Sequence, residues 1–162
     1  MSEVNTEITE ETNETPGTET PGTGTTPEPE PGSIINSAVE SVMDLIDALD
    51  LFATITRGAL GSRAGLCCEI APSTPEAVYL DKNKYIPIDL TLNGKHDDLQ
   101  TLSEAMNTIH EGLTFLKTYP SGTGWNIVDI VTQTEPQVIA RTEENLWLMA
   151  SNLLVKVQTE KE

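Results

Sequence analysis

The chain is predicted to be α+β, with two amphipathic helices packed on one face of a mostly antiparallel sheet and a disordered or extended acidic arm in front. Three observations carry this. Apolar residues recur at a helical period over 34–50 and again over 97–117, and alternation of period two marks 85–92 and 146–157. Short polar turns, not long crossovers, join most of the strand segments, which favours antiparallel pairing. The first 32 residues contain eight glutamates, no Lys, Arg or aromatic residue, and only Met1, Val4 and Ile8 as apolar content. That stretch cannot offset the ordering cost of about 1–2 kcal/mol per residue by burial. The expected division is therefore an acidic Thr/Pro/Glu-rich extension over 1–32 and one domain over 33–162.

Each element has its own signal. Ile35, Ala38, Val39, Val42, Leu45, Ile46 and Leu49 form one stripe of a helix over 34–50, with Ser33 placed to cap its first free amides. The following LFATITRGALGSRAG is read as a flexible connecting loop at a subunit contact. It lacks the lysine and the helix that a phosphate loop of spacing GxxxxGK[ST] requires. Leu66–Ile70 reads as a short buried strand whose Cys67 and Cys68 point to opposite faces as small hydrophobes, with no histidine or basic cluster to activate them. Residues 77–80, 81–84 and 85–92 read as strand, turn and strand, with Pro87 at an edge or a strand start. Asn93-Gly94 is taken to end that strand.

The second helix, over 97–117, carries Leu99, Leu102, Ala105, Met106, Ile109, Leu113 and Leu116 on its apolar stripe, with Asp97 and Asp98 suiting its N-terminus. His96 and His110 lack an HExxH arrangement and are expected to be exposed or capping. A turn over 119–124 precedes a β-branched strand from Trp125 to Thr134. Glu135-Pro136 is expected to interrupt it, with a resumption at Val138–Ala140. The closing strand, 146–157, is apolar on both faces at its start, which suits a central strand or an edge covered by another subunit. Arg57 and Arg63 on the glycine-rich loop, with Trp125 and Trp147 opening the two late strands, are the candidate residues for contact between subunits.

Composition excludes more than it assigns. There are 9 basic against 26 acidic residues among 162, for a net charge of −17. This argues against binding nucleic acid or an anionic membrane through bulk electrostatics. No run approaches the roughly 20 apolar residues of a membrane helix, so a soluble chain with no membrane partner is expected. Two adjacent cysteines make no disulfide framework, so a cytosolic, reduced protein is expected. The start MSEVNTEITEETNET has neither a basic nor an apolar region of a signal peptide, which leaves the Asn13-Glu14-Thr15 sequon without a role. No GxSxG, no histidine beside a Ser or Cys nucleophile and no metal-ligand spacing is found, so no enzyme, cofactor or metal is expected.

The segments KYIPIDLTLNGKHDDLQTLSEAMNTIHEGL and SGTGWNIVDIVTQTEPQVIARTEENLWLMASNLLVKV carry a resemblance in their order of parts. A strand leads into a helix bearing Ala105-Met106-Asn107-Thr108-Ile109, then come a Ser121-Gly122 turn, a strand ending in Thr134-Glu135-Pro136, and a strand opening on Trp147. From about Ser37 to Val157 this resembles the tail terminator (minor capsid) proteins of long-tailed bacteriophages. The resemblance implies a non-enzymatic α+β subunit of a hexameric ring that caps the tail tube, ends its polymerisation and joins the tail to the head connector or stopper protein. It implies a place in the virion at the neck end of the tail, with DNA passing through and not specifically bound. Residues 1–32 depart from the family pattern, in which the first helix lies near the N-terminus. Acidic walls suit a channel through which phosphate must slide, and Asp81 and Glu143, on turns, are the candidate lumen-facing acids. The alternatives are another head-tail joining protein, or a stand-alone adhesion or scaffold module on a flexible acidic stalk.

Overall fold

The computed structural model describes residues 31–72 and 84–159. The element order is α1 (Pro31–Asp47), β1 (Ile55–Arg57), β2 (Gly65–Ala71), β3 (Lys84–His96), α2 (Leu99–Thr114), β4 (Ser121–Gly122), β5 (Trp125–Arg141) and β6 (Trp147–Thr159). The strands form one sheet in the order β1-β2-β3-β6-β5-β4, antiparallel throughout except where β1 runs parallel to β2. The α+β expectation holds. Of the arm expected over 1–32, residues 1–30 lie outside the described residues and Pro31 and Gly32 belong to α1; the strand over 77–80 and Asp81 of the following turn also lie outside.

One face of the sheet carries the core. Ile88, Leu90 and Leu92 of β3 sit beside Val155, Leu153 and Ser151 of β6, and Ile127 and Ile130 of β5 continue the row. Onto this face α1 lays Ile34, Ala38, Val39, Val42 and Ile46, and α2 lays Leu102, Met106, Ile109 and Leu113. Burying each such side chain stabilises the fold by about 1.5–3 kcal/mol. The opposite face carries Asp89, Thr91 and Asn93 beside Leu154, Asn152 and Ala150.

Several boundaries differ from the sequence reading, each for a physical reason. α1 begins at Pro31, not after Ser33, because the fixed φ and missing N–H of proline suit a first helical position. The helix ends at Asp47, short of 50. There the Leu49 N–H turns back to the Ile46 carbonyl at 3.0 Å and Asp50 takes a left-handed φ of 54°. The stretch expected to be only a loop contains β1, whose Ile55 N–H donates to Asp47 Oδ1 at 2.8 Å, so the end of α1 fastens the strand.

β3 continues through Asn93-Gly94 to His96. Gly94 is a close-packing position rather than a turn: a Cβ there would lie 2.6 Å from Leu102 Cδ1 and 3.1 Å from Leu66 Cδ2. α2 is shorter than 97–117, with Asp98 as its N-cap, accepting from the Thr101 N–H at 2.9 Å and the Thr101 hydroxyl at 2.6 Å. These two bonds hold the Asp98 carboxyl below its ordinary pKa.

β5 runs unbroken across Glu135-Pro136. Its 17 residues span the same ladder as the 13 of β6, and the difference of four is taken up by four register shifts, one of them at Pro136. A bulge accommodates the missing proline donor by leaving an unpaired place in the ladder, so the strand bends instead of stopping. β6 lies between β3 and β5, which settles its two apolar faces as those of a central strand.

Candidate assembly surfaces

The largest unpaired backbone in the described residues follows from the sheet order. β4 pairs with β5 only at Trp125 and Asn126, and the Ile127 N–H donates to the Pro120 carbonyl at 2.9 Å. Beyond that point no strand pairs with the outer side of β5 as far as Arg141. Such an edge is a ready template for another chain, and bulges limit which chain fits. Along it stand the exposed Val131, Val138 and Ile139, the last 56 % exposed. Ile139 is the extra residue of the Val138/Ala140 register shift, which is why a β-branched apolar side chain faces water there. Phe115, just past α2, is 81 % exposed.

The four sequence-nominated contact residues lie in three places. Trp125 is buried in the subunit, 8 % exposed, with its ring against Gly122, and it lines a cleft of about 300 Å³ with Ser33, Ile34 and Ser37. Little of it is left for a neighbour. Trp147 opens β6 opposite His96 and Arg141, and the Arg141 guanidinium stacks 4.9 Å above its ring centroid. Arg63 lines a second cleft, of about 420 Å³, formed by residues 53–54, 56 and 60–66. Arg57 leaves β1 toward α1, donating from Nη2 to Asn36 Oδ1 at 2.8 Å, and Lys95 Nζ donates to the Gly61 carbonyl at 2.8 Å, pinning the loop. Glu143 is exposed on the tight β5–β6 turn, where Asn145 has a φ of 63°. Asp81 lies outside the described residues.

The structure brings together three residues that the sequence reading did not join. His110, expected at the surface, is 4 % exposed, with Nδ1 2.7 Å from Thr132 Oγ1 and Nε2 2.7 Å from Ser151 Oγ. A neutral imidazole donates at one nitrogen and accepts at the other, and a hydroxyl satisfies either role, so the ring is bonded at both ends. Burial holds its pKa below the ordinary histidine value, opposed by the negative charge of Glu135. A Ser–His contact of this length also belongs to nucleophilic catalysis. Here Ser151 is itself buried, the third member is a threonine in place of a carboxylate, and neither cleft described above is lined by any of the three. The arrangement clamps α2 to β5 and β6. A sequence signal existed, since His110 stands four residues after Met106 and three before Leu113 on the buried stripe.

His96, by contrast, stands at the mouth of α2 as expected. Its Nδ1 accepts from the Asp98 N–H at 2.9 Å, and its ring meets Phe52 edge-on at 4.7 Å. Cys67 and Cys68 are both buried and point to opposite faces of β2, and only Cys68 joins the main core. Burial raises both thiols, Cys68 to about 11, which keeps them protonated and unreactive at neutral pH. Among the described residues no three His, Cys, Asp or Glu side chains gather as a metal site, and no helix is long and apolar enough to cross a membrane.

No protein-family model matches the chain, and no curated protein matches it. Among solved structures, it is similar to a chain in the virion of a native gene transfer agent (GTA) particle, with a TM-score of 0.51 and 11 % sequence identity. The match covers 76 % of this chain and 94 % of that one. At that identity the likeness is one of fold.

Proposed function

We propose that this chain is a structural protein of a phage-like virion, and within it the tail terminator: a ring-forming subunit that caps the tail tube, ends its polymerisation and joins the tail to the head connector. The observation that carries the reading is the fold likeness to the gene transfer agent virion chain, which spans nearly all of that chain. The order of parts along residues 37–157 points the same way by resemblance. A subunit of a closed ring offers two different surfaces to its two neighbours. The unpaired β5 edge and the cleft beside Arg63 are two such surfaces. The excess of acid over base favours free passage of DNA through the ring, because a wall of like charge captures no phosphate.

Native mass spectrometry of the full chain tests the ring. A species near six times 17.6 kDa is expected, and it should bind the ends of isolated tail tubes and arrest their growth. A monomer that ignores tube ends would overturn the reading and restore the stalked module.

A further inference from the structure

The basic groups of this acidic chain are unevenly placed. Residues 31–72 and 84–159 hold seven Lys and Arg, and three of them, Arg57, Arg63 and Lys95, belong to β1, the β1–β2 loop and the strand end that pins that loop. Among the described residues none of the three is paired with a carboxylate. Arg57 bonds a neutral amide, Lys95 bonds a backbone carbonyl, and Arg63 has no hydrogen-bond or ion-pair partner among the described residues. Fourteen acidic side chains stand in the same segments, yet among the described residues that line the cleft the charged one is Arg63, with the Lys95 ammonium on the cleft's Gly61 carbonyl. The cleft also holds the hydroxyls of Thr54 and Ser62, while that of Thr56 donates to the Leu66 carbonyl.

We infer that this cleft receives the acidic N-terminal segment of a neighbouring copy of the chain, with glutamates between Glu3 and Glu14 meeting Arg63 and Lys95. The inference rests on the assembly reading only in needing a neighbour. Charge complementarity is one argument: residues 1–30 carry eight glutamates and no base, and Arg binds carboxylate through paired hydrogen bonds. Reach is another. α1 is 17 residues long, or about 25 Å at 1.5 Å per residue. The Pro-rich residues 16–30 span about 45 Å if extended at about 3.1 Å per residue. The segment joins α1 at Pro31, beside the cleft lined by Ser33 and Gly122. The Arg63 cleft includes Thr54 and Thr56, which flank the Ile55 bonded to Asp47 at the other end of the helix, whereas Arg57 reaches back to Asn36. Folding back onto its own subunit would carry the glutamates along the exposed Glu40, Asp44 and Asp47 of α1. That path is repulsive, whereas a neighbour's segment arrives from outside.

Full-length chains grown in light and heavy nitrogen are mixed at low ionic strength and treated with a zero-length carbodiimide, which joins lysine to carboxylate. Cross-linked peptides are then read by mass. Lys95 is expected to join a glutamate between 3 and 14, in pairs of mixed isotope. Yield should fall several-fold in Arg63→Glu, a fully solvated change that leaves the melting temperature in place, and on raising salt beyond the range where exposed charges interact. Same-isotope pairs alone, no such cross-link, or a yield indifferent to Arg63→Glu and to salt would each overturn the proposal. So would displacement by a short DNA duplex, which would assign the cleft to phosphate. A hexamer seen by mass without the Lys95 cross-link removes this inference and leaves the ring reading intact.

Discussion

His110 and Gly94 show how much one position decides. His110 joins α2 to β5 and β6 through hydroxyls 22 and 41 residues away. Its folded pKa is depressed, so in the acid range the unfolded chain binds more protons than the folded one. The stabilisation is present above the unfolded histidine value of about 6.5 and is lost as pH falls toward the lower folded value. Thermal melts between about pH 8 and pH 5 should show a falling midpoint. In His110→Leu that slope should be shallower, while stability at the alkaline end drops because two buried hydroxyls lose their partner. Gly94 is present because Leu102 and Leu66 occupy the space of a side chain. Gly94→Val should lower stability by about 1–3 kcal/mol in chemical denaturation, with α2 pushed off β3. Asn93-Gly94 has the local form of a turn, so the role of Gly94 was not legible. The place of His110 on the apolar stripe pointed to burial, but its hydroxyl partners come from other elements and left no local trace.

The elements themselves were largely legible, because periodicity records which side of each one is wet. Both helices, β2, β3 and β6 sit where their patterns place them. The failures are at β1, too short to show a period, and at Glu135-Pro136, where proline read as an ending. A strand can carry a proline across a bulge when its neighbour supplies the rest of the ladder, and β6 does so along the full length of β5. The same bulges expose Ile139 and bend the outer edge. Ile139→Lys should change stability by less than about 0.5 kcal/mol, since the side chain is mostly in water. It should reduce the assembled fraction measured by native mass or sedimentation if this edge meets a neighbour. Unchanged assembly would remove the β5 edge from the contact surface.

At the scale of the molecule, charge sets the behaviour. The net charge of −17 leads us to expect no retention of duplex DNA by the full chain even at low ionic strength, as read by a mobility shift. Retention with a steep salt slope would show that the basic cleft outweighs the rest of the surface. The same asymmetry orders the parts: a long acidic segment joins one end of α1, and the cleft that Arg63 lines lies beside the Asp47–Ile55 bond at the other, which gives a subunit with a direction. Directional contacts close into rings or run on as filaments, according to the rotation between neighbours.

By itself, the sequence determined the fold class, the approximate place of each long element, the core face of the strand through Ile88, Leu90 and Leu92, and the acidity of the whole, because these follow from side-chain period and composition. Only the tertiary structure decided the strand order, the parallel β1, the unbroken β5 and, among the described residues, its open edge, the burial of His110 between Thr132 and Ser151, and the separation of Arg63 from the described carboxylates. Each of these depends on residues far apart in the chain meeting in space, and local pattern carries no record of which distant partner will satisfy a donor, fill a gap or leave a charge alone.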